Sequence, residues 1–288
     1  MTSARPRRSA LYLPASNARA VEKARALACD VVILDLEDAV APDAKDEARA
    51  GAVAAARAAG FGPRELVIRV NGLDTPWGEA DLAAATEARP DAVLIPKVSS
   101  PDDIAAARAR APSDIPLWAM IETCAAMFRL EALGAASRHA GVAAWVIGSN
   151  DLAKEMRCAL DAERAPLATA LSLSLMAARA HGLTILDGVY NDIADADGLA
   201  RQCAQGAALG FDGKTLIHPS QVDAANAAFS PDADAVAWAR TVVTAFDAPE
   251  AVGRGVIKVE GRMVERLHLE QARRLIAVAD AIEARTAG

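Results

Sequence analysis

The sequence predicts an α/β fold, a (β/α)8 barrel of the TIM type with a C-terminal helical extension. Eight short apolar runs recur between residues 9 and 217, each followed by a stretch able to form a helix. Such strict alternation implies a parallel sheet, and eight repeats in that span favour closure into a barrel over an open doubly wound sheet. A nucleotide-binding sheet has little support, because no Gly-x-Gly-x-x-Gly follows the first strand and no complete phosphate-binding loop motif occurs.

Taken in order, residues 9–14 (SALYLP) form a first short strand, and residues 17–27 a helix that Asn17 is placed to cap. Residues 31–40 (VVILDLEDAV) hold the second strand, a β-branched run that ends in carboxylates. That pattern reads as a buried parallel strand delivering charge to its C-terminal end. Side chains alternate along a strand, which puts Asp35 and Glu37 on one face and Asp38 on the other. A helix over residues 44–59 is ended by Gly60 and Gly62. Strands follow at 65–70, closing on Arg69 and Asn71, and at 92–98, closing on Pro96 and Lys97. Beyond a helix at 101–110 comes the strand 116–123, which closes on Glu122. A helix through Arg138 leads to the strand 142–148 and then to Ser149, Asn150 and Asp151. The last two strands fall at 183–187 and within 211–217, with helices over 166–181 and 193–209 between and around them.

The pattern changes past Gln221. Residues 224–229 finish the eighth helix, so the barrel is assigned to residues 1–229 and an extension to residues 230–288. Within the extension, residues 234–246 form a helix and residues 253–262 a loop with a short strand. The tail from Leu267 carries Leu275, Ile276, Ala279 and Ile282 at helical spacing. A barrel closes without this segment, which suits a lid, an oligomer arm or extra packing.

Composition narrows the class. With 53% hydrophobic residues but only 4% aromatics, the core is built from Ala, Leu and Val, enough for one large domain with an appendage. A net charge of −7 argues against a general nucleic-acid binder and against adhesion to anionic membranes. No apolar run approaches the length of a membrane span, and the cluster Arg5, Arg7, Arg8 is not followed by the apolar core of a signal peptide. Cys29, Cys124, Cys158 and Cys203 are widely spaced, which favours free thiols and a cytoplasmic location.

Polar residues gather where the strands end: Glu37 and Asp38, Arg69 and Asn71, Lys97, Glu122, Asp151, Asp187 and His218. In a barrel those ends share one rim, so residues distant in sequence converge on one mouth. Any one of them alone reads as a helix cap or a loop residue, and seven of eight strands ending this way favours an active site. Glu122 and Asp151 close successive strands, a natural pair for a hard divalent ion, since Mg²⁺ takes one or two protein carboxylates and keeps its other positions for water and substrate. Asp35, Glu37 and Asp38 suit the waters around such an ion. No His or Cys has metal-ligand spacing, which argues against zinc. Arg69 matches a substrate carboxylate or enolate with its planar fork, or pairs with Glu37 or Asp38, and the two roles are compatible.

These residues carry a family resemblance. The set LYLPAS at 11–16, LDLEDAV at 34–40, RVN at 69–71, IPKV at 95–98, IET at 121–123, NDL at 150–152, DGV at 187–189 and GKTLIHPSQ at 213–221 resembles the citrate lyase β-subunit-like branch of the HpcH/HpaI aldolase superfamily. The likeness runs in order from about residue 9 to residue 271. It implies a (β/α)8 barrel and Mg²⁺-dependent cleavage or formation of a C–C bond in a β-hydroxyacyl thioester such as malyl-, citramalyl- or citryl-CoA. It also implies homo-oligomers, trimers or hexamers, in which a C-terminal lid covers a neighbouring subunit. By motif, Glu122 and Asp151 are the implied metal ligands, Arg69 binds substrate oxygens, and Lys97 and Glu122 stand beside it in the substrate site. Glu37 and Asp38 join Arg69 as catalytic candidates.

Two departures from the resembled pattern stand out. The lid motif Gly-x-Met-hydrophobic-Asp, whose acid acts in proton transfer, is Gly261-Arg262-Met263-Val264-Glu265 here, so Glu265 replaces the aspartate with one more methylene. A carboxylate displaced by about 1 Å loses on the order of 10²-fold in rate when the substrate stays put. Asn150 stands where many members carry another acid before the Asp, removing a negative charge beside the metal. The expected activity is therefore a Mg²⁺-dependent carbon–carbon lyase giving an acyl-CoA and an α-keto acid. Thioester hydrolysis on the same site is the near variant. A subunit that is inactive without partner chains, and takes a carrier-protein thioester in place of free CoA, is the rival from another class.

Overall fold

The computed structural model describes residues 5–286. Eight parallel strands close in sequence order: β1 (Ser9–Pro14), β2 (Val31–Asp35), β3 (Glu65–Arg69), β4 (Ala92–Ile95), β5 (Leu117–Ile121), β6 (Val142–Ile147), β7 (Thr184–Asp187) and β8 (Gly213–Leu216). Closure is made by β8 on β1, with Ala10 opposite Thr215 and Leu11 opposite Leu216. The barrel unit runs from Arg7 to Phe229.

Parity along the strands separates two apolar layers. Val31, Ile33, Val67, Leu94, Trp118, Met120, Val146 and Leu186 pack together as the barrel interior. Their alternates Val32, Leu34, Leu66, Ile68, Val93 and Ile121 belong to a larger cluster shared with the helices. Continuing the same alternation to the strand ends places Asp35, Arg69, Glu122 and Gly148 on the inward face. It places Asp187 on the outward one, because Leu186 is inward.

The helices are α1 (Ala18–Ala24), α2 (Lys45–Ala58), α3 (Gly78–Ala88), α4 (Pro101–Arg110), a short α5 (Cys124–Met127), α6 (Leu130–Ala140), α7 (Ser149–Met156), α8 (Ala168–Ala180), α9 (Ala196–Leu209) and α10 (Val222–Ala228). Asn17 caps α1 as the sequence predicts, its side chain accepting the Ala20 N–H at 3.0 Å. The helix stops earlier than residue 27, in a turn closed by the Ala26 and Leu27 N–H groups. No sequence signal bounds α3 or α7; α3 has Leu82 as its one large aliphatic residue among Ala, Gly, Glu, Asp and Thr, too little for an apolar stripe.

A second compact unit takes the chain from Ser230 together with Arg5 and Pro6, which the sequence reading assigns to the barrel. It contains α11 (Ala233–Asp247), strands β9 (Val256–Val259) and β10 (Arg262–Glu265), and α12 (Arg266–Thr286). Ala239, Val242 and Phe246 of α11 share a core with Val259, Val264, Leu269 and Ala272. The loop with one short strand expected at 253–262 is instead a two-stranded antiparallel hairpin. Its two-residue turn, Glu260–Gly261, has φ of 45° and 85°, the left-handed pair that matches the twist of a tight hairpin. The sequence signal was weak because Glu stands where Asn or Asp usually would. Among the described residues no helix is long and apolar enough to cross a membrane, and all four cysteines are free.

Candidate active site

The inward residues at the strand ends enclose a cavity of about 270 Å³. Tyr12, Asp35, Asp38, Arg69, Met120, Glu122, Gly148, Asp151, Asn191 and Thr215 are among its walls. Arg69 is buried and makes the densest set of contacts. Its Nε and Nη2 each lie 2.6 Å from an oxygen of Asp35. Nη1 reaches Asp38 at 3.3 Å and the Met120 sulfur at 3.6 Å. Glu37 Oε2 is 2.8 Å from the same Nη1, an ionic contact whose angle is too poor for a hydrogen bond. The guanidinium also sits 4.8 Å from the centre of the Tyr12 ring.

This corrects one expectation and adds to another, the pairing of Arg69 with Glu37 and Asp38 being observed. Asp35, Glu37 and Asp38 do not divide between opposite faces, because β2 ends at Asp35 and the chain turns there, the Asp35 carboxylate accepting the N–H groups of Glu37 and Ala39. All three acids therefore converge on Arg69. The fork of Arg69 is also engaged by Asp35, a partner the sequence reading did not assign to it, which leaves the Nη1 edge to face the cavity.

The turn is held from behind by Lys45. Its ammonium donates to the carbonyls of Leu36 and Glu37, each at 2.7 Å, and to Asn71 Oδ1 at 2.8 Å. Burial lowers its pKa. Asn71 in turn donates to the Leu36 carbonyl and to buried Asp81. Asn71, expected at the rim, is thus absorbed in a buried network beneath it. Glu37 is pushed up to about 7, first by burial and then by Asp38 against the opposing pull of Arg69.

Glu122 is fully buried. Its Oε1 accepts the Lys97 N–H at 2.8 Å, while Oε2 has no hydrogen-bond donor. Burial raises its pKa, against the pull of Lys97. The room for this side chain comes from Gly148, where a Cβ would stand 2.1 Å from Oε2 and 2.5 Å from Glu122 Cβ. Gly148 precedes α7, whose first turn carries Asp151, a position where the helix dipole favours an acid. Asn150 and Asn191 exchange amide hydrogen bonds at 2.8 and 3.1 Å, tying the α7 start to the loop after β7.

Lys97 sits at the end of the β4 segment with φ 52°. Its ammonium lies 3.1 Å from Asp151 Oδ1 and 3.6 Å from Glu37 Oε1. Burial works against that charge, but Glu122, Glu37 and Asp151 outweigh it and raise the pKa. Asp38, Arg69, Glu122 and Asp151 line the cavity, and Lys97 and Glu37 meet that lining through Asp151 and Arg69. Glu265 belongs to the second unit, where it is exposed at the end of β10 and its N–H donates to His268 Nδ1 at 3.0 Å.

Two rim candidates are placed elsewhere. Asp187 is completely buried and faces outward, where Arg164 Nη1 at 2.6 Å and Lys214 Nζ at 2.9 Å close it. Burial opposes its charge, yet Lys214 and Arg164 hold it below the usual carboxylate range. It is a strut between barrel and helices. His218 is exposed and its ring pairs with Ser220 at 2.8 Å. Sequence reasoning missed Tyr12, Met120 and Thr215 as wall residues; inward parity on β1, β5 and β8 is the signal that finds them.

Among the described residues no group of three or more His, Cys, Asp or Glu is arranged to hold a metal ion. Glu122 and Asp151 offer two hard oxygen donors in one cavity, the number Mg²⁺ commonly takes from a protein. The sequence matches the HpcH/HpaI aldolase/citrate lyase family over residues 8–219. The chain belongs to that family. Within the HpcH/HpaI family it is 50% identical over 281 residues to a (3S)-malyl-CoA thioesterase of Cereibacter sphaeroides, covering 98% of this chain and 97% of the relative. An L-malyl-CoA/β-methylmalyl-CoA lyase of the same organism is 33% identical over 310 residues, covering 98% and 97%. Among solved structures, CitE from Mycobacterium tuberculosis in complex with magnesium, acetoacetate and coenzyme A superposes with a TM-score of 0.76. It is 32% identical, with 97% of this chain and 100% of that one covered.

Proposed function

We propose that this chain is a Mg²⁺-dependent enzyme acting on malyl-CoA or a close β-hydroxyacyl-CoA, and that it hydrolyses the thioester. The observation that carries the proposal is Glu122, a buried carboxylate with one oxygen fixed by a backbone N–H and the other free of any donor, in a cavity shared with Asp151. An orphaned buried oxygen is costly unless a cation or water receives it, so this donor pair fits a hard divalent ion. Magnesium in the CitE complex supports the same assignment. Held there, the ion would supply Lewis acidity and a template for oxygens of the acyl group.

The chain's own residues do the rest. The Nη1 edge of Arg69 faces the cavity and stabilises negative charge growing on the thioester oxygen. Asp38, on the wall and exposed, accepts the proton of the attacking water. The water oxygen bonds to the carbonyl carbon, the C–S bond breaks, and CoA leaves as a thiol with the returned proton. Glu37 is the supporting acid that orients Arg69 and Lys97. Glu265 acts as a second proton carrier, delivered by the lid of a neighbouring subunit in a homotrimer or hexamer.

Hydrolysis is placed ahead of carbon–carbon cleavage because the thioesterase relative is 50% identical and the lyase relative 33%. Cleavage remains the second reading, favoured by that lyase. In it the β-hydroxyl loses its proton, the bond between the α and β carbons breaks, and the electron pair is protonated at the α carbon. The test is to incubate the purified chain with malyl-CoA and Mg²⁺ and identify the products. Free CoA and malate support hydrolysis; acetyl-CoA and glyoxylate overturn it in favour of cleavage. A folded chain that yields neither overturns both and points to a partner-dependent subunit.

A further inference from the structure

Lys97 touches three carboxylates at once. Its main-chain N–H holds Glu122 Oε1 at 2.8 Å, and its ammonium stands 3.1 Å from Asp151 and 3.6 Å from Glu37. To do so it adopts φ 52°, a left-handed conformation, between Pro96 and Val98. A long side chain in that region persists only where its surroundings impose it, and such residues cluster at functional sites.

The two candidate metal ligands are held in different ways. Glu122 is fixed by a backbone N–H that every replacement of Lys97 except proline keeps, and its second oxygen already lacks a donor. Asp151 is met by an ammonium on a flexible stem that is about half exposed to solvent, so that contact is free to open. An ammonium in contact with Asp151 offsets its charge and occupies one lone-pair direction. A divalent cation on the same carboxylate would repel that ammonium at contact distance. The two therefore compete for Asp151, each weakening the hold of the other.

We infer that Lys97 is a tethered counter-ion that neutralises the acidic site when it holds no metal, and that a divalent ion enters by displacing the ammonium from Asp151. The inference rests on the two-carboxylate metal reading above. It gives the chain an internal cation that sets the affinity for the metal, in addition to the substrate contact expected of Lys97 from sequence.

The test is calorimetric titration of MgCl2 into the full chain, with no substrate present. Lys97→Met, which keeps the backbone donor to Glu122, is expected to bind Mg²⁺ about tenfold or more tightly than wild type. Lys97→Arg, which keeps a cation, is expected to stay close to wild type. Lys97→Gly removes the ammonium from a backbone conformation that glycine adopts without strain, so it serves if Lys97→Met does not fold. A second readout is thermal unfolding: Lys97→Met should melt lower than wild type without metal and gain more on adding Mg²⁺. Equal or weaker Mg²⁺ affinity in both Lys97→Met and Lys97→Gly, beside a wild type that binds, overturns the inference and leaves the metal site standing. Absence of binding in every variant, wild type included, overturns the metal reading itself.

Discussion

Asp35 and Arg69 are register partners across the β2–β3 ladder, and their side chains form a two-point ion pair with both contacts at 2.6 Å. Both residues are buried, and they end their strands on the inward face. Paired charges in such a place are stable only when their lone pairs and protons are matched. Here the match fixes the guanidinium plane, so that one edge is presented to the cavity and to Asp38.

From that pair follows the behaviour of Arg69→Lys. A lysine keeps the charge but cannot span both oxygens of Asp35 and also present a donor to the cavity. Turnover of Arg69→Lys is expected to fall below about a tenth of wild type, nearly as far as Arg69→Ala, since one lost ionic hydrogen bond costs about 1.5–3 kcal/mol. Steady-state kinetics of the two variants side by side checks this; a lysine variant close to wild type would mean that the fork has no role in orienting the site.

Glu37 gives the metal-free protein a pH-dependent stability. Its carboxyl ionises near 4.5 in an ordinary setting and near 7 in the fold. Between those values the folded chain keeps a proton that the unfolded chain has lost, so stability falls as pH rises through the window and stays reduced above it. Glu37→Gln removes this loss. Relative to wild type it should gain about 1–3 kcal/mol on going from pH 5 to pH 8 in urea unfolding with EDTA present. A difference between the two proteins that does not change with pH would show that Arg69 and Lys97 fully compensate the charge.

Gly148 is required by the side chain it faces. A Cβ at 148 would stand 2.1 Å from Glu122 Oε2, so Gly148→Ala should force Glu122 out of its place. The expected result is Mg²⁺ binding weakened by more than about tenfold with circular dichroism unchanged, matching Glu122→Ala, since loss of one supporting group costs a metal site about 10–100-fold. Wild-type affinity in Gly148→Ala would remove Glu122 from the ligand set.

The shared-site reading of Glu265 predicts rescue between two inactive variants. On that reading Asp151→Ala would lack a metal ligand and Glu265→Gln the lid acid. When the two are mixed, dissociated and reassembled, some mouths combine an intact metal site with an intact lid, and partial activity should return. If Glu265→Gln alone keeps near-normal turnover, Glu265 is only an acid ahead of α12, favoured by the helix dipole at about 0.3–1 kcal/mol. If it is inactive and never rescued, the acid works within its own subunit.

How much of this was legible in the sequence depends on the range of the interaction. Local signals were enough for the eight strands, for Asn17 as a cap, for α4 at Pro101–Arg110 and for the order of the motifs from LYLPAS to GKTLIHPSQ. Each of these is written in neighbouring residues through hydrophobic period, capping chemistry or turn residues. The family followed from the same local motifs. Which strand-end acid faces the mouth was partly written too: Leu186 inward implies Asp187 outward, yet without the barrel interior in view Asp187 looks like Glu122.

Partner choice was decided by the tertiary structure alone. Arg69 takes Asp35 because the β2–β3 register sets them side by side, and register is a property of two strands together. Glu122 keeps an orphaned oxygen because Gly148 leaves the space on the next strand and Lys97 turns its N–H toward the other oxygen through a left-handed φ. Asp187 is closed by Lys214, its register partner on β8, and by Arg164 from the segment before α8. The sequence by itself determined which elements form and which charges they carry to their ends. Only the closed barrel decided which of those charges neutralise one another and which remain open, because a buried charge is settled by whatever stands within about 4 Å of it, and that distance is fixed across strands, not along the chain.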